Sequence, residues 1–397
     1  MISTSEIDVE KRIKANLYVF EHDFALRGGL AVRKGVFRAA LNLEYDYLWI
    51  RDVMNIGLAF EAVKDYPIIQ KIYDAVYARA FFCQEKLKTS DHTTHENDMF
   101  PSKYEIKSNK PYTKGWGHHQ LDAIGMLMYK TVDLGEKGII TLDSKIEKLM
   151  FDMVEYCKRV SCFDVGDNGM WEEWRELHSS SMGAVIAGLE KLRDTDMFPS
   201  IKIDQEFIDH GRKQLYALLP RESPVNSDPK YHMDKSTDAA LLTLIWPYNL
   251  FHDNKEMEDK ILSDVETVLV RDKGVLRYVN DRYEASAKKL GKDKYRYYKN
   301  GEAQWPLFFS YLSLAYTKRG DKEKARHYLN RSFESMVEVD GVMVFPESFR
   351  YHPSPTKGVF IPSGNIGLAW NHALEICALV EYKKKFSNSD QEFQLQN

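Results

Sequence analysis

Residues 69–87 read IQKIYDAVYARAFFCQEKL, and the spacing of their apolar members decides how the chain folds. Ile69, Ile72, Val76, Ala80, Cys83 and Leu87 recur at steps of three and four, which lines them along one face of a helix. The same period returns in Ala325, Tyr328, Leu329, Phe333 and Met336, with Asp321 placed to cap that helix just after Gly320 closes the one before. Comparable patterns predict helices near 6–20, 52–64, 119–133, 144–160, 179–193, 204–218, 236–246, 255–269, 303–318 and 364–383, about a dozen in all. Strand-like runs are short, Val275 to Val279 and Val342 to Phe345, and no alternating strand–helix rhythm argues for a parallel sheet. The chain therefore reads as all-α, its helices paired into antiparallel hairpins and stacked in a closed or curved array. No fixed-period repeat supports a helical solenoid.

Bulk properties narrow the function. The chain has 397 residues, is 44% hydrophobic and 29% charged, and carries a formal charge of −4, an ordinary composition for a folded soluble protein. That slightly acidic balance offers no footprint for nucleic acid, and a neutral partner fits better. No stretch approaches the roughly 20 apolar residues of a membrane span, and Met1 to Glu21 lack the apolar core of a secretion signal. Cys83, Cys157, Cys162 and Cys377 sit inside apolar or helical patterns without zinc-like pairing, so reduced core thiols in a cytoplasmic protein are expected. No Pro/Ser-rich linker divides the sequence. Residues 1–397 are read as one domain, with 1–30 a helical lead-in and 385–397 a disordered tail.

Long connectors at 89–118, 162–178, 271–302 and 339–363 carry the unusual residues, and they are expected to gather at one end of the array. Glu172 and Glu173 follow a Gly166-Asp167-Asn168-Gly169 turn and lie between Trp171 and Trp174. Adjacent acids repel and aromatic walls desolvate them, so one of the two should keep its proton unusually well, as a general acid must. Standing alone, Trp-Glu-Glu reads as a solvated helix start. Glu347 follows Pro346, which stiffens the backbone and presents the carboxylate as a candidate base, or as a strand-edge acid facing solvent. Arg51 and Asp52 open a helix after an aromatic run, Tyr45 to Ile50. A guanidinium fork beside a carboxylate suits the vicinal hydroxyls of a sugar, and equally a cap with an internal salt bridge. Asp122 and Asp238 each open a helix and can be terminus residues only. Aromatics reach 13%, and Trp49, Trp116 and Trp305 are candidate platforms for sugar faces. His92-Thr93-Thr94-His95-Glu96 lacks the four-residue step of a zinc motif, so no metal is expected.

In order along the chain, these pieces resemble glycoside hydrolase family 15, the glucoamylase family. Tyr47-Leu48-Trp49-Ile50-Arg51-Asp52, Gln120-Leu121-Asp122-Ala123, Trp171-Glu172-Glu173, Arg277-Tyr278 with Tyr297-Tyr298 and Trp305-Pro306, Pro346-Glu347, and Leu368-Ala369-Trp370-Asn371-His372-Ala373 each resemble a motif of that family. The resemblance implies an (α/α)6 barrel with short β pieces in the active-site loops. It also implies inverting hydrolysis, Glu172 protonating the glycosidic oxygen and Glu347 activating water, with the carboxyls about 6.5–9.5 Å apart. By the same resemblance Arg51, Asp52 and Arg277 hold hydroxyls of the terminal sugar, while Trp171 and Glu173 line the cleaved bond. Such chemistry needs no metal and no organic cofactor. Three departures fall where the leaving sugar would lie: Ser348 in place of Gln, an insertion from Glu284 to Arg296, and a long stretch from Phe349 to Gly367. With no leading β-sandwich, signal or starch-binding module, a small intracellular oligosaccharide is the expected substrate, giving up terminal glucose. The alternatives are a trehalase-like disaccharide hydrolase and a non-catalytic sugar-binding or regulatory barrel.

Overall fold

A computed structural model describes residues 8–25, 28–33, 35–42, 45–224, 234–281, 283, 301–352 and 358–394. Among them run thirteen α-helices: α1 (Val9–Glu21), α2 (Ile50–Ala62), α3 (Tyr66–Phe82), α4 (Gln84–Thr89), α5 (Leu121–Glu136), α6 (Ser144–Arg159), α7 (Ser179–Asp194), α8 (Gln205–Leu218), α9 (Leu242–Ile245), α10 (Lys255–Asp264), α11 (Leu307–Arg319), α12 (Lys322–Glu334) and α13 (Ala369–Gln394). Helices α2, α5, α7, α9, α11 and α13 touch in that order, and α13 closes on α2. Each of α3, α6, α8, α10 and α12 packs outside the inner helix that precedes it, and α1 packs on α13. Six hairpins thus close a ring, the (α/α)6 barrel.

Inner and outer helices obey different sequence rules. In α6 the apolar residues Ile146, Leu149, Met150 and Met153 face inward while Lys145, Lys148 and Glu155 stay toward water. In α11 every residue from Leu307 to Thr317 is buried, so no polar stripe exists and period alone does not locate its ends. Close approach of inner helices needs small residues. A Cβ on Gly125 of α5 would stand 2.3 Å from the Ala184 carbonyl carbon of α7. Gly125→Val therefore costs about 1–3 kcal/mol of stability, read as a lowered urea-unfolding midpoint. An unchanged midpoint would show slack in that seam.

Three expected helices differ in detail. Where 236–246 was expected helical, Asp234–Asp238 pairs as a strand with Tyr278–Val279, and only a short 3-10 turn and α9 follow before Pro247 bars continuation. The helix expected from 303 starts at Leu307, because Gln304 and Trp305 bridge to Phe349 and Val275 and Pro306 takes the cap position. Helix α13 starts at Ala369, not 364, and runs to Gln394 through the expected tail, since neither Pro nor Gly interrupts 385–394. The strand expected at Val275–Val279 is reduced to Tyr278–Val279, and Val342–Val344 pairs with Val337–Val339. Tyr297-Tyr298 and the insertion Glu284–Arg296 lie outside the described residues.

Strands among the described residues form two-stranded antiparallel ladders that shape the loops. One pairs Tyr47–Trp49 with Lys103–Glu105 and sets Lys103 opposite Trp49. Another, Phe349–His352 with Val359–Pro362, fills part of the long stretch after Glu347. All four cysteines are buried and free. No described helix is long and apolar enough to cross a membrane.

Candidate active site

The singled-out motifs lie in the first turn of an inner helix or in the connector that leads into one. Arg51 and Asp52 start α2, Gln120 and Asp122 start α5, and the Glu172 loop leads into α7. Asp238 precedes α9, Arg277 and Trp305 precede α11, and Glu347 precedes α13. Inner helices run the same way because each returns through an outer partner, so six N-termini face one end of the barrel. Their partial positive charges favour acidic side chains there.

Glu172 is held from below. Arg51, 6% exposed, donates from Nη2 to Glu172 Oε1 at 2.9 Å and from Nη1 to Asp122 Oδ2 at 3.0 Å and Gln120 Oε1 at 3.1 Å. The Glu172 backbone takes φ of 60°, a left-handed conformation that costs a non-glycine residue energy and clusters at functional sites. The residue lies in a loop ahead of α7, so the solvated-helix-start reading does not hold. Burial lifts its carboxyl above the usual range, against the pull of Arg51 and Lys103. Glu173 goes the other way. Burial opposes its charge, but Arg277 at 3.1 Å and Lys235 at 2.8 Å outweigh that and hold it below the usual range. The two neighbouring carboxyls are thus shifted in opposite directions, Glu172 up and Glu173 down. Trp171 supplies the nearer aromatic wall, its Nε1 donating to both Asp238 oxygens at 3.0 and 3.1 Å. Trp174 is 38% exposed and walls the pair less than expected.

Glu347 is gripped by donors. Tyr45 Oη donates to its Oε1 at 2.6 Å, Asn365 Nδ2 to its Oε2 at 2.5 Å, and Tyr283 Oη to its Oε2 at 3.3 Å. At 6% exposure it is not the solvent-facing strand-edge acid of the alternative reading. Burial and the Glu347 charge push the Tyr45 phenol far up, so it stays a donor. Tyr283 also ties the two halves of the site together. Its ring lies 5.7 Å from Trp305, which is 6.1 Å from Trp171, and the Arg277 guanidinium sits 5.0 Å from the rings of both Tyr283 and Trp171. The Glu172 loop and the Glu347 loop, remote in sequence, therefore share one wall.

Arg51 and Arg277 spend much of their donor capacity on protein. Arg277 pairs with Asp281 at 2.6 and 2.7 Å besides Glu173. Both arginines are paired with carboxyl groups of the site, and the hydroxyl-holding role that the resemblance implies for them would come in addition. Asp52 keeps part of its surface exposed, and burial still pushes its carboxyl up to about 7. Trp49 and Trp116 belong to a cage. With Tyr47 and Tyr112 they surround the Lys103 ammonium, whose Nζ lies 3.7 Å from the Trp116 ring and 4.3 Å from that of Trp49. Burial pushes Lys103 down to about 8. Sequence reading passed over Lys103, Tyr45 and Asn365. Only the Trp49–Lys103 strand register and contacts across some three hundred residues bring them in. His95 of the His92–Glu96 run accepts the Asn97 backbone N–H at 3.3 Å, a local cap.

A largely buried Glu172 and a buried Glu347 are thus brought from separate loops to one aromatic-walled end of a helical barrel. Residues 31–342 match the family described as Glycosyl hydrolases family 15, and the chain belongs to it. A wild-type glycosidase structure superposes with a TM-score of 0.70 at 18% identity, covering 94% of this chain and 96% of that one. The glucoamylase from Saccharomycopsis fibuligera gives a TM-score of 0.64 at 13% identity, covering 96% and 98%. At those identities the likeness is one of fold. In sequence, the chain is 27% identical over 355 residues to a probable phosphorylase b kinase regulatory subunit alpha of Drosophila melanogaster, covering 76% of this chain. It spans 27% of that subunit's length.

Proposed function

We propose that the protein is an exo-acting, inverting glycoside hydrolase that releases terminal glucose from short α-glucosidic oligosaccharides. The observation that carries the reading is the contrast between the two gripped carboxyls: Glu172 lifted by burial, Glu347 surrounded by hydrogen-bond donors. Glu172 acts as the general acid on the glycosidic oxygen. Glu347 acts as the base on a water at the opposite face of the ring. Asp52 accepts from hydroxyls of the terminal sugar, with Arg51 and Arg277 fixing the acids around it. Trp171, Glu173 and Trp305 line the cleaved bond, and Trp49 and Trp116 wall the site through the Lys103 cage. No cofactor takes part in these steps.

The reading is tested by assaying released glucose from a panel of α-linked glucose disaccharides that includes trehalose. Release from a maltose- or isomaltose-type linkage is the expected result, and release from trehalose alone would move the assignment to a trehalase-like enzyme. A second reading, a sugar-binding regulatory barrel, is favoured by the likeness to kinase regulatory subunits. Calorimetric binding of these sugars without any turnover would select it.

Lys103 gives a pH test. Its charge lowers the Glu172 pKa, so Lys103→Met, which keeps an apolar stem inside the ring cage, raises it. The acid then stays protonated to higher pH, and the alkaline limb of the kcat profile moves upward. A limb that stays put or moves down contradicts Glu172 as the acid.

A further inference from the structure

Residues 167–176 form a ring that displays Glu172 at its rim. Paired backbone hydrogen bonds between Asp167 and Glu176, both 3.0 Å, close it. Asp167 is anchored below by His178 Nδ1 at 2.9 Å, Ser181 Oγ at 2.8 Å and the Leu121 N–H at 2.8 Å. That fixes the base of the ring; at the rim Arg51 holds the Glu172 carboxyl, and another element must fix the residues on either side of it.

The strand Asp234–Asp238 does so from outside the ring. Lys235, whose side chain is 4% exposed, places Nζ 2.8 Å from Glu173 Oε2 and 2.9 Å from Glu176 Oε1. The Tyr278 and Trp174 rings flank the ammonium at 5.2 and 5.7 Å. Three residues on, Asp238 takes the Trp171 indole N–H. One short strand thus grips the residue before Glu172 and the residue after it, while Glu172 itself sits at φ of 60°. A strained residue keeps its direction only where its neighbours are over-determined.

We propose that Lys235 is a positioning residue for the general acid: by clamping Glu173 and Glu176 it aims the Glu172 carboxyl at the glycosidic oxygen. The inference rests on the assignment of Glu172 as the acid. Lys235 does not touch substrate. Without it, Glu173 keeps Arg277 and Tyr278 on one oxygen but loses its second tether, and Glu176 loses the Lys235 ammonium while keeping His178 Nε2 at 3.7 Å. Misplacing a catalytic group by 1 Å costs on the order of 10²-fold in rate.

The test compares two leaving groups. A disaccharide needs a proton on its departing oxygen, whereas α-glucosyl fluoride leaves with little protonic help. In Lys235→Met, kcat on the disaccharide is expected to fall roughly 10- to 100-fold, with α-glucosyl fluoride turnover close to wild type. Lys235→Met with Glu176→Gln neutralises a buried carboxylate together with the ammonium that faces it, and carries the comparison if the single variant does not fold. Equal losses on both substrates, or no loss on either, overturn the proposal. Glu172→Gln, run alongside, separates the two claims. If it hydrolyses the disaccharide at the wild-type rate, the acid assignment itself fails and this proposal falls with it. If it shows the leaving-group-selective loss and Lys235→Met does not, only the positioning role fails.

Discussion

Glu172→Gln slows hydrolysis of an α-linked glucose disaccharide by about 10²- to 10⁴-fold, the range that a positioned proton donor contributes. Glutamine matches the shape of glutamic acid, and its Oε1 can still accept from Arg51 Nη2, so the loop keeps its tether. What the amide lacks is an acidic proton. Because the side chain keeps its size and its Arg51 contact, glucose binding is expected to stay within a few-fold of wild type. Initial rates of glucose release, with calorimetry for glucose affinity, check both halves. A near-normal rate would remove Glu172 from the mechanism.

Glu347→Gln produces a loss of similar size, about 10²- to 10⁴-fold, with a different signature. A carboxylate accepts from all sides, which suits the hydroxyls of Tyr45 and Tyr283 and the amide of Asn365 that converge on it. An amide turns one of those acceptor positions into a donor, so it breaks the grip as well as the base. Activation of water is needed whatever group departs. Turnover of α-glucosyl fluoride therefore collapses with that of the disaccharide, whereas Glu172→Gln spares the fluoride. Identical substrate profiles for the two variants would refute the division of roles.

Much of the architecture was legible because outer helices carry their own signature. In α3, Ile69, Ile72, Val76 and Ala80 are all fully buried, on the stripe that the period defines. Inner helices are harder to delimit. In α11 the residues from Leu307 to Thr317 are all buried, so its start depends on Pro306 and on bridges made by Gln304 and Trp305. The segment 236–246 was misread because Asp234–Asp238 finds a strand partner at Tyr278–Val279, a contact that no local pattern announces.

The candidate site shows the same division. Trp-Glu-Glu and Pro-Glu are local motifs, and of the acids they contain Glu347 is buried and Glu172 and Glu173 are partly buried. Tyr45 meets Glu347 across 302 positions, and Lys235 meets Glu173 from another loop. Neither carries a composition that marks it. Tyr45 belongs to an aromatic run already in view, but a phenol's role there depends on a carboxylate nearly the length of the chain away.

The kinase regulatory subunits among the relatives make turnover itself the issue, and stereochemistry decides it at the level of geometry. Two carboxyls on opposite faces of the sugar ring, with room for a water, deliver that water from behind the departing oxygen. Proton NMR of the first glucose released from an α-linked disaccharide, read before mutarotation, tests this most directly. The β-anomer is the predicted first product; the α-anomer would contradict the arrangement.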